Sequence, residues 1–112
     1  MELKEGNFYH LYNQGNNKKK IFFTHENYNF FLRKIENQII PYCEILAWCL
    51  MPNHFHILLF VKNESIIENE KNITLNSSIG LMLRSYTRAI NNQNNWTGSL
   101  FRQKSKAKNI EV

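Results

Sequence analysis

At 112 residues with a net charge of +5, the chain has room for one small domain and little more. Its 43% hydrophobic and 21% charged residues are ordinary for a globular chain and exclude disorder throughout, and no apolar run approaches the roughly 18 residues of a membrane span. The N-terminus, Met1-Glu2-Leu3-Lys4-Glu5, carries no apolar signal core, so the expected compartment is the cytosol, and the basic balance suits a polyanionic partner.

Residues Asn7 to Asn13 alternate, with Phe8, His10 and Tyr12 against Tyr9 and Leu11, and run into Gln14-Gly15-Asn16-Asn17; this predicts a strand and a turn. Lys18-Lys19-Lys20 follow, and suit either phosphate contact or a solvated loop. Ile21-Phe22-Phe23 read as an apolar anchor. Thr24 has N-cap chemistry, and Tyr28, Phe31, Leu32, Ile35 and Ile39 recur at helical spacing. They predict a helix from about His25 to Ile40, stopped by Pro41. His25 reads as a surface residue, with a ligand role in a neighbouring site left open.

Two apolar runs come next, Tyr42 to Leu50 and His54 to Val61, joined by Met51-Pro52-Asn53, and they predict a hairpin at the sheet centre. Cys43 and Cys49, six apart on one strand, are expected on one face and too distant for a disulfide, hence reduced; zinc is a remote second reading without a Cys-x-x-Cys pair. On the second strand His54, His56, Leu58 and Phe60 share one face, and Phe55, Ile57, Leu59 and Val61 the other. One face should pack helices and the other a partner subunit or further chain. His54 and His56 sit about 7 Å apart along the strand and project side by side. Neutral imidazole is a good ligand for divalent first-row metals. On spacing alone, half a metal site and two satisfied polar residues at a sheet rim are both open.

Lys62 to Thr74 is polar and predicts a loop. Asn76 or Ser77 can cap a helix with Ile79, Leu83, Tyr86 and Ile90 as its buried stripe, and Arg84 and Arg88 on another face, for DNA phosphates or for solvent. The remainder mixes asparagines with Trp96, Phe101, Arg102, Lys104, Lys106 and Lys108. Cations interleaved with rings fit single-stranded nucleic-acid binding; a frayed tail is the alternative. No internal repeat interrupts a single domain over residues 1–112.

In the setting Trp48-Cys49-Leu50-Met51-Pro52-Asn53-His54-Phe55-His56-Ile57-Leu58-Leu59, the His-hydrophobic-His (HUH) triplet resembles the signature of the single-tyrosine HUH transposases. These are of the insertion-sequence 200/605 type, and the likeness is strongest to the REP-associated tyrosine transposases. Tyr9 to Asn16 resembles that family's first strand, and Leu83 to Asn91 with Trp96 to Phe101 its middle helix and following turn. The resemblance runs in order over nearly the whole chain. It implies an α+β fold, an antiparallel sheet with two helices on one face in a ferredoxin-like or RRM-like arrangement. It further implies Mg²⁺ or Mn²⁺ held by His54 and His56 with one later ligand, hairpin or single-stranded DNA as substrate, and commonly a homodimer. The implied chemistry is DNA nicking and rejoining, in which a tyrosine attacks a phosphate to leave a 5′-phosphotyrosine and a free 3′-hydroxyl. Arg84, Arg88, Lys104 and Lys106 are the candidate DNA contacts.

In the family the nucleophile, and often the third metal ligand, lies on a helix after the Trp-x-Gly-Ser-Leu-Phe segment and the strand behind it. No tyrosine follows Phe101 here, so the nucleophile is expected beyond Val112 and the chain is expected to be a C-terminally truncated transposase. Tyr86 is a substitute candidate, but its place in the apolar stripe points to the core. Tyr9, Tyr12, Tyr28 and Tyr42 precede the motif and match no catalytic position. The competing class is a non-catalytic nucleic-acid-binding module, with the histidines as rim residues and the basic tail supplying affinity.

Overall fold

The computed structural model describes residues 1–63 and 74–111; most of the predicted loop between Lys62 and Thr74 lies outside them. Along the chain run β1 (Phe8–Gln14), a 3₁₀ turn (Asn16–Lys18), α1 (His25–Gln38), β2 (Cys43–Met51), β3 (His54–Val61), α2 (Leu75–Asn94) and β4 (Lys106–Ile110). The strands form one antiparallel sheet in the order β2-β3-β1-β4. Each helix therefore joins two parallel strands that have an antiparallel one between them, which is the split β-α-β plan of ferredoxin-like domains.

Both helices start at reciprocal caps. Thr24 Oγ1 accepts from Asn27 N at 3.2 Å while Asn27 Oδ1 accepts from Thr24 N at 3.1 Å. Asn27 is buried and also donates to Gln93 Oε1 at 3.0 Å, tying α1 to α2. The cap of α2 is Thr74 rather than Asn76 or Ser77. Thr74 Oγ1 accepts from Ser77 N at 3.1 Å, so Ser77 is the cap's partner one turn in.

One side of the sheet is roofed by the helices. Phe31, Ile35 and Ile39 from the α1 end and Ile79, Met82, Tyr86 and Ile90 of α2 bury against Leu11, Phe55, Ile57 and Leu59. Ring contacts Phe31–Phe55 at 5.2 Å and Phe31–Tyr86 at 5.0 Å mark the middle of this layer. The alternation on β3 is as expected, with Phe55, Ile57, Leu59 and Val61 buried and His54, His56, Leu58 and Phe60 on the opposite, outer face.

Two expectations are corrected here. Cys43 and Cys49 do not share a face, because the register steps from Ile45↔Leu59 to Ala47↔Leu58 and leaves Leu46 as a bulge that inverts the parity of the rest of β2. Cys43 faces the helices, buried opposite Val61, whereas Cys49 is exposed on the outer face opposite His56. Trp48 falls on the helix side, yet at this sheet edge it remains 54% exposed. The second correction concerns the basic tail. It is not frayed: Lys106–Ile110 pair with β1, Lys106 opposite Tyr12 and Lys108 opposite His10.

Candidate metal and nucleic-acid site

The histidine pair begins β3, where the hairpin turn is fixed from two directions. Ile21 N and Phe22 N donate to the Pro52 carbonyl at 2.8 and 3.2 Å, and Gly15 N donates to the Asn53 carbonyl at 2.9 Å. The apolar anchor read at Ile21-Phe22 thus clamps the turn from which the histidines emerge. Gly15 is required by close approach, since a Cβ there would collide with the Lys19 backbone carbonyl.

Antiparallel pairing brings β1 alongside, with Gln14 opposite His54 and Tyr12 opposite His56. The rings gather on the outer face: His54 and His56 centroids are 5.0 Å apart, and Tyr12 lies 6.0 Å from His56. Asn53 Oδ1 is 2.7 Å from His54 Nδ1, and His10 Nε2 is 2.7 Å from His56 Nδ1. Burial holds the His56 pKa below the ordinary imidazole value, and the neighbouring His10 and His54 push in the same direction, so its neutral form is favoured.

An open depression of about 390 Å³ lies over this cluster, lined by His54, His56, Tyr12, Arg102, Lys104 and Lys106 among others. The cations are brought there by Asn13, a buried residue of β1 whose Nδ2 donates to the Arg102 carbonyl at 3.2 Å and to Ser105 Oγ at 3.0 Å. Arg102 N donates to the Gln14 carbonyl at 2.9 Å, and its guanidinium meets the Gln14 side chain, whose oxygen accepts from Nη1 at 2.7 Å in the amide orientation that satisfies both groups.

Of the candidates drawn from sequence, His54, His56, Lys104 and Lys106 are therefore brought together. Arg84 and Arg88 do not line this depression; both stand on α2 in the helix layer, and Arg84 lines a neighbouring groove that Arg102 and Lys104 also line. His25 is exposed at the first position of α1 and does not line the depression. Tyr86 is fully buried under the sheet, its hydroxyl donating to the Ile21 carbonyl at 2.6 Å. Four neighbours escaped the sequence reading as site residues: His10, Tyr12, Asn53 and Arg102. The β1 alternation already put His10 and Tyr12 on one face, but the register that places them beside His56 links residues 46 positions apart.

No curated protein sequence matches the chain. A REP-associated tyrosine transposase solved with a REP hairpin aligns with 100% of this chain and 61% of its own length, at a TM-score of 0.68 and 15% identity. A protein assigned as a transposase from Deinococcus radiodurans R1 aligns with 99% of this chain and 87% of its own, at a TM-score of 0.55 and 15% identity. Similarity at that identity speaks to fold, and the chain spans less than two thirds of the hairpin-bound protein. The family model for IS200-like transposases matches residues 5–112, almost from end to end. A split β-α-β sheet with His54 and His56 at its centre, matched over that span, makes this chain a member of the IS200-like transposase family.

Proposed function

We propose that the outer face is a DNA-processing centre in which His54 and His56 hold Mg²⁺ or Mn²⁺, while Arg102, Lys104 and Lys106 guide a single strand or hairpin past them. The observation that carries this reading is the shared depression, which two imidazoles and three cations line together. The donor set fits a divalent ion. The Asn53 oxygen can only accept, so His54 keeps its proton on Nδ1 and leaves Nε2 bare, and His56 is favoured in its neutral state. Among the described residues no group of three His, Cys, Asp or Glu side chains is placed to hold a metal, so the described residues offer the ion the two imidazoles. A bound ion would polarise the scissile phosphate and offset the charge that builds on it.

The protein's own groups do the rest. Lys104 and Lys106 neutralise backbone phosphates, and Arg102, braced by Gln14, offers a fixed fork to another. Tyr12 presents a ring beside His56 on which a base can stack. Arg84 and Arg88 stand away from this face, and we assign the phosphate contacts to the three cations that line the depression instead. We do not assign the nucleophile to Tyr86, because its hydroxyl is buried and already donating.

The test is Mn²⁺ binding with DNA binding. His54→Ala and His56→Ala should each abolish measurable Mn²⁺ binding, and Lys104→Ala and Lys106→Ala should each lower the slope of log affinity against log salt by about 1. Unchanged Mn²⁺ affinity in His56→Ala would remove the metal assignment and leave a non-catalytic DNA-binding module. With a labelled hairpin and Mn²⁺, this chain should give no covalent adduct; one mapped to Tyr12 would move the nucleophile into the sheet.

A further inference from the structure

His10 is a third imidazole on the outer face, and nothing above gives it a role. It sits on β1 opposite Leu58, its ring nearly coplanar with His56 and meeting it edge to edge, with centroids 4.9 Å apart and planes at 26°, and it lies against Tyr12 at 4.6 Å. Its Nε2 and His56 Nδ1, 2.7 Å apart, form one hydrogen bond between two rings. That bond holds a single proton, and its location decides what His56 can do. When His56 Nδ1 donates to His10 Nε2, His56 Nε2 keeps a free lone pair. When His10 donates, neutral His56 must carry its proton on Nε2 and has no lone pair to offer there. His54 meets the same requirement through Asn53, whose Oδ1 accepts at 2.7 Å.

We infer that His10 is a positioning residue that accepts the Nδ1 proton of His56 and so holds His56 in the tautomer whose Nε2 can take a divalent cation. This rests on the metal reading above and extends it to a residue that does not ligate the ion: His10 Nε2 is spent on His56. The non-ligating nitrogen of a metal-bound histidine normally donates to a carboxylate, a carbonyl or water, which fixes the ring and raises its basicity. Here neither acceptor, Asn53 or His10, is a carboxylate. A carboxylate in either place would set a negative charge where a DNA phosphate must approach, and among the described residues no acidic side chain lines the depression. His10 and Asn53 therefore orient the pair without spending any of the positive field supplied by Arg102, Lys104 and Lys106.

Two substitutions separate accepting a proton from ring contact alone. His10→Phe keeps a flat ring on His56 and Tyr12 but removes the acceptor; His10→Gln gives up the ring and keeps an acceptor at similar reach. The probe is Mn²⁺ alone, its free fraction read by electron paramagnetic resonance, and the His56 tautomer is read in the metal-free protein from long-range ¹H–¹⁵N correlations. The expected result is an Nδ1 proton on His56 in the wild-type chain, Mn²⁺ binding weakened about 10- to 100-fold in His10→Phe at unchanged melting temperature, and near wild-type binding in His10→Gln. Equal affinity of His10→Phe and wild type, with His56→Ala still unable to bind, would overturn the role of His10 and leave the metal site standing. Binding kept in His10→Phe but lost in His10→Gln would make the ring contact the function and overturn it too, as would equal weakening in both variants or a wild-type His56 carrying its proton on Nε2. A wild-type chain that takes up no Mn²⁺ would instead refute the metal reading itself.

Discussion

Tyr86→Phe separates a structural tyrosine from a chemical one. The Tyr86 ring is fully buried between Phe31 and Phe30, and its hydroxyl donates at 2.6 Å to the carbonyl of Ile21, the residue whose own N–H holds the Pro52 turn. Burial, with Tyr28 adding to it, pushes the hydroxyl far above the ordinary phenol range, so it cannot ionise to attack a phosphate. Removing one oxygen leaves almost no cavity; the cost is the lost hydrogen bond plus a carbonyl left in an apolar setting, together roughly 1.5 kcal/mol. For a domain of this size that corresponds to a melting temperature lower by roughly 6 °C. Urea unfolding followed by circular dichroism should show a lower midpoint at unchanged slope, and Mn²⁺ affinity should not move. A Tyr86→Phe chain as stable as wild type would refute the packing argument. A covalent hairpin adduct formed by the wild-type chain and lost in Tyr86→Phe without loss of stability would make the hydroxyl a reacting group.

Thiol chemistry reports on the bulge: in the native chain Ellman's reagent should modify Cys49 and spare Cys43 until denaturant is added, and two fast thiols would mean that Leu46 does not invert β2. Burial pushes the Cys43 thiol up to about 12, only partly opposed by Lys62. The folded state then keeps a proton that the unfolded chain releases above its ordinary value of 9.0, so the contribution is whole below pH 9 and is lost as pH rises toward 12. Between pH 8 and pH 10 the loss should be about 1.4 kcal/mol, and Cys43→Ala should flatten it; an identical pH dependence in the variant would contradict this. Gly15→Ala forces a Cβ onto the Lys19 carbonyl and should cost roughly 2 kcal/mol or more while shifting the His54 resonances through the Asn53 turn; a change under about 0.5 kcal/mol would mean that the loop yields freely.

What could be read from sequence was local. The Phe31 and Ile35 stripe, the hairpin, and the shared face of His54 and His56 all follow from spacing within one element. What escaped depended on how elements meet. His10 and Tyr12 were placed on one face of a strand, but nothing within Phe8–Gln14 says that His56 lies across from Tyr12. Leu46 hides inside a uniformly apolar run, so the inversion that separates Cys43 from Cys49 leaves no pattern. Thr74 was passed over because its cap partner is Ser77, not the Glu or Gln that marks such a start in sequence. Lys106–Ile110 has little strand propensity of its own; it extends because β1 offers a free edge, and Asn13 pins the approach. Arg84 and Arg88 read like Lys104 and Lys106 in sequence, and only the layers show that the two pairs stand on different elements.

The candidate chemistry stands on β1 and β3, the two strands that are hydrogen-bonded on both sides. Amides there open to solvent with the domain as a whole, whereas β2 and β4, each with a free edge, can exchange their protons by local fraying. An ion on His54 and His56 would leave by dissociation, not by the site coming apart, and its binding energy would register in full as protection against global unfolding. On the proposed reading, adaptation to the shape of a bound strand would fall to Lys106 on the yielding rim, with the imidazoles held as a fixed anvil beneath it.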